Sequence, residues 1–296
     1  MAYLFLLIGV FACSTSVFFI KLSATDPIFL SAYRLFVAGF LLLPLALKAR
    51  KEHPEYKVSL FDLTTLLPAL FLSLHFISWI FGARLTPAAN ATLLVNMTPI
   101  VMPYLLFLLA GERLSPGGWT GTAFAISGIF ILAGTDFNTS PQYFLGDIVC
   151  FLSMILFALY MALAKRNRTI PSIYLYIVPI YFSAGILCLA IGLPFLLFSE
   201  TTNWIGQNVF REVILILAIS SIPTVLGHSI LNWSMKHLPG QSVAVVNLAQ
   251  FIFAGIMSFF IFKEIPQLSF YLAASLAISG AIIVIYSAPK SESAAK

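Results

Sequence analysis

The chain has 296 residues, of which 60% are hydrophobic and 9% charged, with a formal net charge of +5 and a mean hydropathy of +0.99. A globular domain is usually about 45–50% apolar and about 25% charged, so this composition excludes a soluble enzyme, a disordered chain and a coiled coil. Three cysteines, Cys13, Cys150 and Cys188, lie in apolar runs and read as small buried thiols, which excludes a disulfide scaffold.

A helix needs about 20 apolar residues to cross the hydrocarbon core. Such runs lie at about 3–22, 28–47, 64–83, 88–110, 117–135, 144–164, 173–198, 213–235, 241–262 and 268–287. They are continuous rather than alternating, which argues against a β-barrel. The expected fold class is all-α membrane, with ten transmembrane helices joined by loops too short to hold a folded domain. The first run has no basic segment before it and continues past Cys13, so it reads as an uncleaved span.

Lysine and arginine set the orientation. With the N-terminus inside, eleven of the sixteen, including Lys51, Lys57, Arg166, Lys290 and Lys296, fall on the cytoplasmic side. Lys21, Arg84, Arg211 and Lys263 fall outside, and Arg34 falls within the second span. The expectation is a multi-pass protein of the cell inner membrane with both termini cytoplasmic. The positive charge is then a topology signal and implies no nucleic-acid partner.

The chain repeats itself. Ala125-Ile126-Ser127-Gly128 returns as Ala277-Ile278-Ser279-Gly280, and Glu112 meets Glu264 at the same shift of 152. At a shift of 153, Leu85 meets Leu238 and His75 meets His228. Residues 1–137 and 138–296 are therefore read as two five-helix repeats. Five is odd, so the second repeat is inverted in the membrane, a route to alternating access around a site near the midplane.

In each half the fourth span ends on an apolar run and a glutamate, Gly111-Glu112-Arg113 and Phe262-Lys263-Glu264. A small-residue fifth span containing Ile-Ser-Gly follows, and Pro99 follows Asn96-Met97-Thr98 in span 4. In this the chain resembles the drug/metabolite transporter superfamily, specifically the ten-helix EamA-type carriers. The position equivalent to Pro99 in span 9 is Phe251 or Ile252, a departure from that pattern. The resemblance implies a bacterial inner-membrane carrier with a central cavity, often exporting amino acids or related metabolites.

Polar groups at membrane depth are candidates for the transport path. No carboxylate lies at the centre of a span, which argues against a carrier of lipophilic cations. His75, Ser78, Trp79 and Gly82 share one helix face, and Thr224, His228 and Asn232 share another. The repeat makes these faces equivalent, as opposite walls of one cavity, and the histidines are candidates to bind a carboxylate or carry a coupling proton. Helix-to-helix hydrogen bonding is the competing role for all of these groups.

Span 4 contributes Thr92, Asn96, Pro99 and Pro103 on one face, and span 9 contributes Asn247 and Gln250. The two stripes are out of register, so the site is expected to be asymmetric. Tyr160 in span 6 and Ser14, Thr15 and Ser16 in span 1 are weaker candidates. Arg34 is expected to snorkel to the outer face, with steering of an anionic group as the alternative. Trp233, with Trp79, is a candidate to stack on a planar substrate or to anchor at the interface. Gly117, Gly121 and Ala125 in span 5, and Ala273, Ala277 and Ala281 in span 10, mark packing helices away from the cavity.

The function expected is a secondary carrier of a small polar metabolite, an amino acid or related compound, moved outward and without a cofactor or metal, as a monomer or homodimer. An intramembrane enzyme and a carrier of purine- or nucleotide-like metabolites are the alternatives. No His-Glu-x-x-His, Gly-x-Ser-x-Gly, aspartate pair or nucleotide-binding loop is present to support catalysis or primary transport.

Overall fold

The structure, a computed structural model, describes residues 1–56, 59–60, 62–136, 143–198, 203–262 and 268–287. The regular elements among these are all helices, with no strand among the described residues. Glu264, matched above with Glu112, lies outside the described residues, as do Lys57, Lys263, Lys290 and Lys296.

The first span is α1 (Ala2–Ser14) and α2 (Ser16–Leu22), interrupted at Thr15. There the Ser14 and Thr15 hydroxyls turn back onto the carbonyls of Phe11 and Ala12. α3 (Pro27–Glu52) starts sharply because Pro27 sits at its first position and the Asp26 carboxylate accepts from the Ile28 amide at 2.9 Å. α4 (Leu63–Leu85) follows.

The next span is broken into α5 (Ala88–Val95) and α6 (Met102–Ala110), with a 3₁₀ turn at Thr98–Ile100 and a bend of 50° between the two halves. Pro99 and Pro103 supply no amide hydrogen, so the ladder cannot run through. Gly111, at φ +67°, then ends α6 in the left-handed conformation that glycine adopts without a Cβ penalty.

The remaining helices are α7 (Pro116–Asp136), α8 (Phe144–Arg166), α9 (Ile173–Phe198), α10 (Val209–Ile219), α11 (Ser229–His237), α12 (Gly240–Asn247), α13 (Ala249–Phe262) and α14 (Leu268–Ser287). A π-helical segment, Ser220–His228, joins α10 to α11 without a break.

Among the described residues, seven stretches are long and apolar enough to cross a membrane, and the bent α5/α6 pair makes an eighth. Large apolar side chains cover the outside, Phe40, Tyr104, Phe107 and Phe260 among them. That is the surface of a protein solvated by lipid. α7 and α14 are each other's main partner and run antiparallel. A Cβ on Gly121 would lie 2.6 Å from the Gly280 carbonyl oxygen, so glycine is what lets these two backbones touch.

The interior has two apolar clusters. One is built from Leu42, Ala46, Leu106, Met161, Met235 and Val243 and their neighbours. The other contains Val17, Ile20, Leu30, Ile80, Leu94 and Ile216. Polar side chains, Ser16, Arg34, His75, Asn96, His228 and Gln250, gather where the two clusters meet, with Cys13 and Phe157 from the first and Trp79 and Val95 from the second.

The two ends of the bundle are polar. At one end, the Glu212 carboxylate accepts from Ser23, Thr25 and the Ala24 amide, while Arg84 donates to the carbonyls of Ile20, Ser23 and Thr25. At the other, Lys165 lies 3.3 Å from Glu112, whose second oxygen accepts from the Gly240 amide at 2.7 Å.

Candidate functional site

Arg34 lies two turns into α3 and is 1% exposed. This corrects the expectation that it snorkels to the outer face. Its Nε donates to Thr224 Oγ1 at 2.5 Å and its Nη1 to Ser16 Oγ at 3.4 Å. Its Cζ stands 3.9 Å from the centre of the Phe76 ring. The side chain turns inward because hydroxyls and an aromatic face meet it there, the last a favourable contact for a desolvated cation.

The π segment sets up this contact. Pro223 lacks an amide hydrogen, and the wider turn lets Thr224 Oγ1 donate to the Ile219 carbonyl at 2.8 Å while accepting from Arg34. Single π turns inside α-helices occur frequently at functional sites.

The two histidines face each other with ring centroids 6.4 Å apart. His75 Nδ1 sits 3.0 Å from the Ser153 carbonyl and 2.9 Å from its hydroxyl, and the ring stacks on Phe157 at 4.8 Å. His228 packs edge-on against Phe76 at 5.0 Å and Phe157 at 5.6 Å. Its Nδ1 is buried without a hydrogen-bond partner.

A ladder of amides approaches from the broken helices. Asn96 Nδ2 donates to the Thr92 carbonyl at 2.7 Å, Asn247 Nδ2 donates to Asn96 Oδ1 at 2.9 Å, and Gln250 Nε2 donates to Asn247 Oδ1 at 2.7 Å. Asn96 caps α5, whereas Asn247 is the last residue of α12, so the two asparagines are out of register by one position. Gln241 Nε2, from α12, donates to Thr122 at 2.8 Å and weakly to the carbonyl of Pro99.

These groups bound a central pocket. His75, Trp79, Asn96, His228 and Gln250 line it, with Cys13, Ser16, Arg34, Val95 and Phe157. Thr92, Tyr160, Asn232 and Asn247 do not line it and act from behind. Thr92 bonds within its own helix at 2.7 Å, and Asn232 donates to Tyr160 Oη at 2.6 Å and to the His228 carbonyl at 2.7 Å. Ser78 bonds its own helix, Gly82 packs on α8 at Cys150, and Trp233 packs on Phe5 and His237 rather than at the centre.

The pocket holds ≈ 30 Å³, room for a water molecule or two, with the two imidazoles and the ring of Phe157 crowding it. A larger cavity of ≈ 340 Å³ lies between α1, α12, α13 and α14. Apart from Tyr3, its lining of Leu7, Val246, Phe253, Ile278, Ile282 and similar side chains is apolar and suits no polar solute. Among the described residues no group of three metal-ligating side chains occurs.

Residue type and spacing mark His75, Trp79, Asn96, His228 and Gln250 in the lining. Cys13, Val95 and Phe157 carry no such signal, Ser16 carries a weak one, and Arg34 is expected at the outer face.

A helical bundle with an apolar exterior and a buried polar centre is a membrane protein of the kind that handles solutes. The EamA-like transporter family model matches residues 1–134 and 144–286, and the chain belongs to that family. It is 23% identical over 264 residues to an S-adenosylmethionine uptake transporter of Rickettsia bellii, covering 88% of this chain and 84% of that protein. A Rickettsia prowazekii protein of the same name is also 23% identical, with 88% and 83% covered. An uncharacterized transporter of Archaeoglobus fulgidus is 23% identical over 266 residues, covering 90% and 89%. A crystal structure of a protein 18% identical in sequence superposes with a TM-score of 0.73 over 98% of this chain and 99% of the other, a likeness of fold. The protein is a multi-pass membrane transporter.

Proposed function

We propose that the protein is a secondary carrier that moves a small polar metabolite, an amino acid or a compound derived from one, by alternating access through the central pocket. The observation that carries this reading is the cluster of buried polar side chains, Arg34, His75, Asn96, His228 and Gln250, that lines one pocket among apolar packing. Polar groups at such depth are costly and mark solute pathways. His75, Trp79, Asn96, His228 and Gln250 contact the solute in this reading, and Thr92, Tyr160, Asn232 and Asn247 hold them. Parting of the aromatic rings on one side supplies the room that the small pocket lacks.

The architecture proposed is ten crossings in two inverted repeats, residues 1–137 and 138–296. Several features support it. α3 and α9 both have 26 residues and begin 146 positions apart. α5 and α12 both have 8 residues, begin 152 positions apart, and follow Pro87 and Pro239. Lys21, at the end of α2, donates to the Thr86 carbonyl beyond α4, and Lys165, near the end of α8, donates to the Leu238 carbonyl beyond α11. These two contacts lie at opposite ends of the bundle, as inversion requires. Lys21, Arg84 and Arg211 gather at one end and Lys165 and Lys236 at the other, in keeping with cytoplasmic termini in a bacterial inner membrane.

Export is the direction proposed, following the family resemblance. The relatives named for uptake of S-adenosylmethionine favour inward movement of that amino-acid derivative as a second reading. Purified protein in proteoliposomes of known sidedness tests both, with labelled amino acids and S-adenosylmethionine and with or without a pH gradient. Saturable movement of at least one compound is expected. Failure to move any of them would remove the reading, and an effect of the gradient would assign proton coupling.

A further inference from the structure

A guanidinium stays charged at any physiological pH, and a buried one normally faces a carboxylate. Among the described residues no ion pair reaches Arg34. The buried and half-buried carboxylates are engaged elsewhere. Glu212 is held by Ser23, Ala24 and Thr25, Asp147 by Thr86, Glu112 by Lys165 and Gly240, and Asp26 caps α3 at the Ile28 amide. Arg34 instead has two neutral hydroxyls and the face of Phe76. Of its five N–H donors, the structure gives bonds to Nε and to Nη1, the latter long.

A second unmet group lies against the same ring. His228 is 5% exposed, packs on Phe76, lines the pocket with Arg34, and has no hydrogen-bond partner at Nδ1. The π segment carries both Thr224, which holds Arg34, and His228. An uncompensated cation and an imidazole with an unpaired nitrogen thus pack on one ring and line one small pocket. A carboxylate satisfies both, accepting from the guanidinium and from an imidazole N–H.

We infer that Arg34 and His228 bind the carboxylate of the transported molecule. The inference rests on the carrier reading above and narrows it to solutes bearing one negative group at that position. One guanidinium offsets one charge, so a carboxylate fits better than a phosphate dianion. Trp79 and Phe157 line the same pocket and are the surfaces for the rest of the molecule.

The test is uptake by the full chain in proteoliposomes, with three matched pairs of probes: S-adenosylmethionine and its decarboxylated analogue, phenylalanine and phenylalaninamide, and adenosine monophosphate and adenosine. Wild type is expected to move one of the two carboxylates about tenfold or more faster than its partner lacking the carboxylate. Arg34→Gln should bring both members of that pair to the slow rate, while Arg34→Lys should keep part of the preference. Equal transport of both members by wild type would overturn the inference and leave the carrier reading standing, and needs no variant to fold. Retained preference in a monodisperse Arg34→Gln protein would also overturn it. Preference for adenosine monophosphate over both carboxylates would replace the carboxylate with a phosphate. If wild type moves none of the six probes, the carrier reading falls and the inference with it.

Discussion

Asn247 donates its side-chain amide to Asn96 at 2.9 Å and so ties together the breaks of two helices. Both breaks lie where a span is interrupted, so this one bond fixes how α5 and α12 sit at the centre. Asn247 also accepts from Gln250. Asn247→Leu therefore leaves two partners unmet and should destabilise the protein by about 1–2 kcal/mol, with Asn96→Leu costing less. Unfolding of the purified single and double variants gives the coupling, and a value near zero would show that the ladder contributes nothing.

Lys165 should matter far more than a surface lysine. Its side chain is 7% exposed, lies 3.3 Å from Glu112, and donates to the Leu238 carbonyl at 2.6 Å. Lys165→Ala strands a carboxylate that also holds the Gly240 amide, and a loss of about 3 kcal/mol is expected. Lys48→Ala removes an exposed pair with Glu52 at 3.9 Å and should cost about 0–1 kcal/mol. Comparable melting temperatures for the two variants would refute the contrast.

Gly121 and Gly280 face each other where α7 meets α14. Valine at either position puts a branched side chain against a backbone carbonyl and should destabilise by about 1–3 kcal/mol or more. Ser127 is exposed and bonds only the Phe124 carbonyl, so Ser127→Ala should leave the melting temperature unchanged. Thermal unfolding in detergent compares them, and an unaffected Gly121→Val would mean that the helices do not approach this closely.

The histidines should separate transport from folding. His75→Ala and His228→Ala are each expected to reduce uptake about tenfold, while Ser127→Ala transports as the parent does. Equal rates in all variants would remove the central pocket from the transport path.

Labelling reads the topology. Cys13, Cys150 and Cys188 are buried, so single cysteines placed at Lys51, Arg168 and Asn208, all exposed, report cleanly. Lys51→Cys and Arg168→Cys should react from the cytoplasm and Asn208→Cys from outside. Arg84 is a poor reporter because its side chain is tied to three carbonyls. Reaction of Asn208→Cys from the cytoplasm would contradict the crossing count.

Membrane residence, helical class, family and the polar positions His75, Asn96, His228 and Gln250 were all legible in the chain itself. Transfer of an apolar run into lipid is a local property, summed over about 20 residues, so it needs no knowledge of neighbours. What the tertiary structure decided is depth and rotation. Those quantities turned Arg34 from a snorkelling side chain into the buried cation of the site. They joined Asn247 to Asn96 and placed Tyr160 and Asn232 behind the lining. They also narrowed the expected chamber beside His75, His228 and Phe157, because helix packing rather than residue type sets which side chains meet at the centre.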